Sequence, residues 1–199
     1  MKHVSVIFVA AAMLAAPAAA QVTGEGTVRC GDYGQPAEGM PEAFSQFAFI
    51  IGDFTVGIRQ WDAEAGAWGE APYFARWNGY YGMGGRAIID EWFDPGYGYR
   101  EQSGVGINVR IYDEPAGLWK TAWQYSLTPG VSELYQQVRD DGMLALWQVY
   151  PEVPEQNVYF EEFSPDHWGR ITRLRDPETG EWVNATLLDA VRAACPAAE

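Results

Sequence analysis

Two segments of the sequence carry polar and aromatic side chains at the two-residue spacing of an extended strand, in which alternate residues point to the same side. In "GGRAIIDEW" one side holds Arg86, Ile88, Asp90 and Trp92. In "GVGINVRIYD" one side holds Asn108, Arg110 and Tyr112. A guanidinium in an apolar interior requires an anion as a partner. The two arginines are therefore expected either to point outward to surface carboxylates or to point inward, paired or available to an anionic ligand.

The aromatic content favours a ligand cavity. The chain has 9 Trp, 11 Tyr and 9 Phe, more large rings than a small filled barrel needs. Cavities that bind small molecules are commonly lined by aromatic side chains with a few placed polar groups. On the segment "GLWKTAWQYSL", Trp123 and Tyr125 share a side. The candidate ligand-binding residues are Arg86, Trp92, Arg110, Tyr112, Trp123 and Tyr125.

Other residue types give weaker indications of chemistry. His167 in "SPDHWGR" follows Ser164 by three residues, but a polar surface loop is the simpler interpretation than a catalytic base beside a nucleophile. The pair Asp140-Asp141 precedes Gly142 and is typical of a hairpin turn. Glu161-Glu162 lacks the further oxygen ligands of a calcium loop. We therefore assign no catalytic residue, no metal site and no cofactor from the sequence.

The elements that must position these residues are predicted to be strands. Alternation recurs throughout the region from Phe44 to Trp182, and no long stretch of it has helical periodicity. Phe54, Val56 and Ile58 form one such set, and the set Val105, Ile107, Val109 and Ile111 is another. A sheet of this length must close or fold over itself to hide its edges. The prediction is an all-β protein with a single antiparallel up-and-down β-barrel of roughly eight to ten strands and short helical pieces at its ends.

A repeated phrase marks three hairpins. An aspartate stands four residues before a glycine and six before a tryptophan at Asp62/Gly66/Trp68, Asp113/Gly117/Trp119 and Asp176/Gly180/Trp182. Aspartate accepts hydrogen bonds from the amides of a turn, and glycine adopts the left-handed conformation that closes it. The tryptophan is then expected to open the return strand.

The N-terminal residues predict that the protein is exported. Residues 1–20 have a basic start, an apolar run and small residues at the end, as in a secretory signal peptide, and the run is too short to span a membrane. Residues 21–43 would be an N-terminal extension, 44–195 the barrel domain and 196–199 a tail, with a short turn of helix expected before Pro196. The expected location is the periplasm or the exterior.

Cysteine usage and charge agree with that location. The chain contains two cysteines, Cys30 and Cys195, which in an oxidising compartment are expected to form a disulfide bond. The net charge is −14 at pH 7, and such a surface repels nucleic acid and anionic membranes.

Three phrases resemble a known family. "FIIGDFTV", "GGRAIIDEWF" and "VRIYDEPAGLWKTAW" are similar to bacterial lipocalin-like proteins grouped under domain of unknown function 1579, over roughly Phe44 to Trp182. Gly52-Asp53-Phe54 keeps the glycine of the Gly-x-Trp motif of the broader calycin superfamily and replaces its tryptophan. The resemblance implies an up-and-down barrel with an internal cavity, and it implies no reaction.

Three functions follow as hypotheses. The first is an exported lipocalin-like protein that holds a small apolar or amphipathic ligand in its cavity, with Arg86 or Arg110 at the polar end. The second is a small-barrel enzyme of lyase or isomerase type that uses Tyr, Arg and Glu for acid–base chemistry without a metal. It requires a buried carboxylate such as Asp90 or Glu91. The third is a glycan-binding or envelope protein with a flat row of exterior aromatics and a filled interior.

Overall fold

The computed structural model describes residues 30–95, 103–161 and 163–195. The expected signal peptide, residues 21–29 of the expected N-terminal extension and the expected tail lie outside these ranges. Within them, no helix has the length and apolar character needed to span a bilayer.

The described residues form one antiparallel sheet that closes into a barrel. Its strands are β1 (Gly52–Asp62), β2 (Ala67–Trp68), β3 (Phe74–Gly82), β4 (Ala87–Asp94), β5 (Gly104–Asp113), β6 (Leu118–Tyr125), β7 (Thr128–Val138), β8 (Leu144–Tyr150), β9 (Gln156–Glu161), β10 (His167–Arg175) and β11 (Trp182–Arg192). β2 pairs only with the end of β1. The other ten strands follow one another around the barrel, and β11 pairs with β1 to close it. The predicted fold class is confirmed.

The repeated phrase builds hairpins as expected. The Asp62 carboxylate accepts hydrogen bonds from the amides of Glu64 and Ala65, at 2.9 and 3.0 Å. The Asp113 and Asp176 carboxylates accept equivalent bonds in their own turns. The three glycines of the phrase have φ between 62° and 73°, the left-handed region that favours glycine. The phrase is therefore a turn signature.

Alternation along the strands separates an interior from an exterior. On β1 the side chains of Phe54, Val56 and Ile58 are buried inside the barrel, as their spacing predicts. On β5 the apolar set lies outside, where Val105 and Ile111 are 48% and 45% exposed. The other set of β5 faces the interior and contains Gly104, Gly106, Asn108, Arg110 and Tyr112. β5 therefore places a charged side chain, that of Arg110, inside the barrel.

One end of the barrel is closed by a plug helix, the 3₁₀ helix Glu42–Ile50. Its Phe44, Phe47, Phe49 and Ile50 are buried. Phe44 and Phe47 each lie 5.1 Å from the Trp119 ring, centroid to centroid. Gly79 of β3 allows this close approach, since a Cβ there would stand 2.0 Å from the Ile50 carbonyl oxygen. This is one of the short helical pieces expected at the ends of the barrel.

The segment before the plug helix, residues 30–41, packs on the outside of the barrel. The Asp53 carboxylate accepts hydrogen bonds from the Cys30 amide at 3.1 Å and from the Tyr33 hydroxyl at 2.9 Å. At the other end of the chain, the Ala193 amide donates to the Asp53 carbonyl at 2.8 Å. Residues 193–195 have no regular structure, so the helical turn expected before Pro196 is wrong for them. The strand β11 instead continues to Arg192, because it pairs with β1 to that point.

The seating of the plug helix on Gly79 can be tested by Gly79→Ala. The new methyl group would collide with the backbone of Ile50, and we expect the free energy of unfolding to fall by about 1–3 kcal/mol. Urea denaturation of the two proteins measures the change. Gly69→Ala is the matched control, because a Cβ there would meet only the Gln60 carbonyl oxygen at an ordinary 3.5 Å. Equal losses in both variants would contradict the close-approach role of Gly79.

Candidate functional site

The half of the barrel away from the plug helix contains a cavity of about 320 Å³. Its lining consists of side chains from the inner faces of nine strands, β3 to β11, with several polar groups among apolar ones. They are Trp77, Trp92, Asn108, Arg110, Trp123, Leu134, Leu146, Gln148, Gln156, Arg170, Thr172, Thr186 and Leu188. This size is at the lower end of the range of small-molecule sites, roughly 300–1,000 Å³.

Three tryptophans form the aromatic part of the wall. Trp77 and Trp92 are cross-strand partners on β3 and β4 and meet edge to face, with centroids 5.9 Å apart. Trp123 on β6 lies across β5 at Gly106, where an added Cβ would fall 1.9 Å from the indole ring. The absence of a side chain at Gly106 thus leaves the space that the Trp123 ring occupies.

Arg110 forms an ion pair with Asp90 beside the cavity. Both side chains are buried, with 2% and 0% of their surfaces exposed. The amide of Asn108 donates to the other Asp90 oxygen at 2.7 Å. Asp90 does not itself line the cavity, whereas Arg110 and Asn108 do. The Asp90 carboxylate therefore holds the side chains of Arg110 and Asn108 in place without lining the cavity itself.

Arg110 also lies beside aromatic rings, and the charge of a second arginine acts on it. Its guanidinium carbon lies 5.1 Å from the Phe47 ring centroid and 5.9 Å from that of Trp77. Burial lowers the pKa of Arg110 to about 9, and the like charge of Arg170 acts in the same direction. A guanidinium with that pKa remains protonated at neutral pH, and the adjacent Asp90 carboxylate favours the charged form.

The structure brings half of the sequence-predicted ligand residues to the cavity. Trp92, Arg110 and Trp123 line it. Tyr125 is half-buried and stacks on Trp123 at 5.9 Å, and its hydroxyl donates to Asp94 at 3.4 Å. Tyr112 lies nearer the plug helix, against Trp119 at 5.4 Å. These two tyrosines support the site without lining it.

Arg86 does not share a face with Ile88, Asp90 and Trp92, and of its two expected orientations the structure shows the outward one. Arg86 is exposed, and β4 begins after it, at Ala87. Gly84 and Gly85 have φ of 65° and 81°, and they form a 3₁₀ turn that ends at Arg86. Because the backbone is not extended there, strand parity does not apply to this residue.

Sequence reasoning missed several lining residues. Trp77 had a usable signal, because Ala75, Trp77 and Gly79 alternate in "FARWNGYYG". Arg170, Thr172 and Thr186 had none, since their place depends on the pairing of β10 with β11 and on closure against β1.

The remaining residues that were considered for catalysis or metal binding, His167, Ser164, Asp140 and Asp141, lie outside the barrel. His167 Nε2 is 2.8 Å from the Asp189 carboxylate, which also pairs with Arg59 at 2.8 Å. The Ser164 hydroxyl accepts from the His167 amide at 3.1 Å, so it organises the turn and does not contact the imidazole. Asp140 and Asp141 lie in the turn between β7 and β8, as expected.

The two cysteines meet at the exterior near Asp53. Their sulfur atoms are 2.6 Å apart and unbonded. The hydrogen bond with Cys195 raises the pKa of the Cys30 thiol to about 11. Together with an Asp53 oxygen, the sulfurs lie within 4.8 Å of one another. Structural zinc sites usually have four protein ligands, one more than this group offers.

Comparison with known proteins identifies no family. No family model matches the chain, and no curated protein matches it. Among solved structures, the chain is similar to the S-type phycobiliprotein lyase of Guillardia theta at 15% identity and a TM-score of 0.45, over 78% of this chain and 93% of that one. A likeness at this level implies nothing about the chemistry of the present protein.

The buried ion pair makes a testable contribution to stability. We expect Arg110→Met to lower the free energy of unfolding by about 3–5 kcal/mol, because it leaves Asp90 buried without its cation. Lys120→Met is the control, because it removes the cation of the solvent-exposed pair with Asp113 and should cost far less stability. Chemical denaturation at pH 7 measures both values. Similar losses for the two variants would show that Arg110 is not the buried partner described here.

Proposed function

We propose that this protein binds a small amphipathic ligand inside its barrel. The apolar body of the ligand contacts Trp77, Trp92 and Trp123, and its polar end lies toward Arg110. The supporting observation is the cavity itself, which combines an aromatic wall with polar groups fixed by a buried carboxylate. The fold is a barrel of a kind suited to this task, and the proposal includes the relationship to the bacterial lipocalin-like proteins that its motifs suggest.

The composition of the lining favours binding over acid–base catalysis. In the residues that the structure describes, the lining side chains are indole, alkyl, amide, hydroxyl and guanidinium groups. None of these described lining residues is an aspartate, glutamate, histidine, tyrosine, lysine or cysteine, the usual proton carriers of enzymes. Asp90, one of the two carboxylates named for the enzyme hypothesis, is held by Arg110 and Asn108.

Ligand binding is tested with anilinonaphthalene sulfonate, an amphipathic dye that fluoresces in apolar cavities. We expect saturable binding by the wild-type protein. Trp123→Ala should weaken it by roughly 5- to 30-fold, since an aromatic contact contributes about 1–2 kcal/mol. Trp147→Ala is the matched control, because Trp147 is on the outer face and 36% exposed. Equal weakening in both variants, or no saturable binding, would count against an internal site.

Export to the periplasm or exterior and a Cys30–Cys195 disulfide bond complete the proposal. The bond would join residues 30–41 to the end of β11, next to Asp53, and would use both thiols. Intact mass spectrometry of protein purified from the periplasm should show a mass lower by two hydrogens than that of the reduced sample. The chain should also begin near Gln21. An unchanged mass on reduction would contradict the disulfide bond, and a retained N-terminus would contradict export.

A further inference from the structure

The cavity has two chemically different sides. Its indole side is formed by Trp77, Trp92 and Trp123 on β3, β4 and β6. Its polar side is formed by one uncharged polar side chain from each of the strands β8 to β11, namely Gln148, Gln156, Thr172 and Thr186. In the closed sheet, β1 and β7 separate these two groups of strands. A ligand in the cavity therefore lies between aromatic rings and hydrogen-bonding groups.

Two amides of the lining are held by their nitrogen ends. The Gln148 nitrogen donates to the backbone carbonyl of Pro151 at 2.7 Å. Because a carbonyl oxygen can only accept, the nitrogen must be the end that faces Pro151, and the side-chain oxygen is directed elsewhere. The Asn108 nitrogen is held in the same way by the Asp90 carboxylate, at 2.7 Å. Each amide therefore keeps a carbonyl oxygen to offer, and a ligand that meets this oxygen must supply a donor.

Arg110 makes the opposite demand on a ligand. A guanidinium carries five N–H donors and no acceptor. The positive charge of Arg170 acts on Arg110, and Arg170 precedes Thr172 by two residues on the inner face of β10. Arg110 thus approaches the polar side of the cavity. The polar end of a ligand placed there needs an acceptor for Arg110 and a donor for the amide oxygens.

The lining does not call for a charged ligand. Asp90 compensates the charge of Arg110, and Arg170 has a partner of its own. The four side chains of the polar side are uncharged. A carboxylate would bring acceptors alone and would leave the amide oxygens without donors. Burial of its charge would also be costly. An uncharged group that carries both a donor and an acceptor fits this lining better.

The indole side restricts the body of the ligand. Aromatic rings gain stacking and edge-to-face contacts with indoles beyond the area that they bury. Trp77 and Trp92 already meet edge to face, and Trp123 borders the same cavity. The volume of about 320 Å³ is small, and a flexible chain would lose conformational entropy on confinement there. A small rigid ring system is therefore favoured.

From these features we infer that the ligand is an uncharged, flat heteroaromatic compound with a lactam edge, in which a ring N–H and a carbonyl oxygen stand side by side. Its ring lies against the indole side. Its carbonyl oxygen accepts from Arg110, and its N–H donates to the carbonyl oxygen of Gln148. The inference rests on the proposed function and names the class of ligand. Asp90 is then a positioning residue, which holds Arg110 and Asn108 without touching the ligand.

Isothermal titration calorimetry on the mature protein tests the inference with three bicyclic probes of similar size. 2-Quinolinone is an uncharged lactam, coumarin has a ring oxygen in place of its N–H, and 2-naphthoate is an anion with acceptors alone. We expect 2-quinolinone to bind roughly 5- to 50-fold more tightly than coumarin, because coumarin leaves the amide oxygen without a donor. We expect 2-naphthoate to bind at least about fivefold more weakly than 2-quinolinone, since it must also bury its charge.

The variant Gln148→Leu tests the assignment of the acceptor. It replaces the amide with an apolar group, and we expect the ratio of the quinolinone and coumarin affinities to fall below about threefold. Gln137→Leu is the matched control, because Gln137 is exposed on β7 and its amide also donates to a backbone carbonyl, that of Gly117 at 3.5 Å. The control should keep the wild-type ratio. A wild-type ratio in Gln148→Leu would overturn the role of Gln148. If this variant does not fold, the three probes on the wild-type protein still decide.

The outcomes separate the inference from the function on which it rests. Equal binding of 2-quinolinone and coumarin would overturn the requirement for an N–H and leave an internal binding site intact. Tighter binding of 2-naphthoate would overturn the preference for an uncharged ligand in the same way. Failure of all three probes while the dye still binds would overturn the lactam class alone. Failure of the probes and of the dye would overturn the proposed function as well.

Discussion

The hydrogen-bonded ladder between β1 and β11 is the constraint on which the rest of the structure depends. It pairs residues from Phe54 with Arg192 to Gln60 with Thr186 and closes the sheet. Closure removes the two edges that would otherwise invite aggregation, and it gives every strand a definite inside. It also brings the two ends of the domain together, because Asp53 contacts both Cys30 and Ala193. The location of both cysteines is thus a consequence of barrel closure.

Closure defines an interior, and the chain fills that interior unevenly. At one end the plug helix supplies Phe44, Phe47 and Phe49, which pack with Trp119 and other rings of the wall into a dense aromatic core. Toward the other end, glycines replace bulky inward residues on β5, and the rings of β6 lie across them. The remaining space borders a buried ion pair. Apolar residues of similar volume would stabilise the interior as well or better, which agrees with a role for Arg110 in binding.

Local sequence patterns were sufficient to predict the fold class, the hairpin turns and the interior faces of β1 and β6. They could not decide the orientation of β5, because its apolar set and its polar set are both compatible with an interior. The orientation of β5 depends on Asp90, which lies opposite Asn108 on the neighbouring strand. Asp90 accepts a hydrogen bond from Asn108 and forms an ion pair with Arg110. Arg86 was misassigned because two glycines with positive φ interrupt the extended backbone just before it. Arg170 was missed because its approach to Arg110 depends on closure across many strands.

Within residues 30–95, 103–161 and 163–195, the exterior aromatic residues do not form the continuous row that glycan recognition would require. Among the described residues, the exposed Trp147, Tyr150 and Trp182 lie on β8 and β11, which are separated by β9 and β10. Trp61 and Trp68 pack against each other at 5.0 Å and so cover part of their own surface. That hypothesis also required a filled interior, whereas the barrel retains a cavity. The aromatic residues that remain available together are those inside, so the large number of rings in this sequence is best explained by a plugged end and a lined cavity.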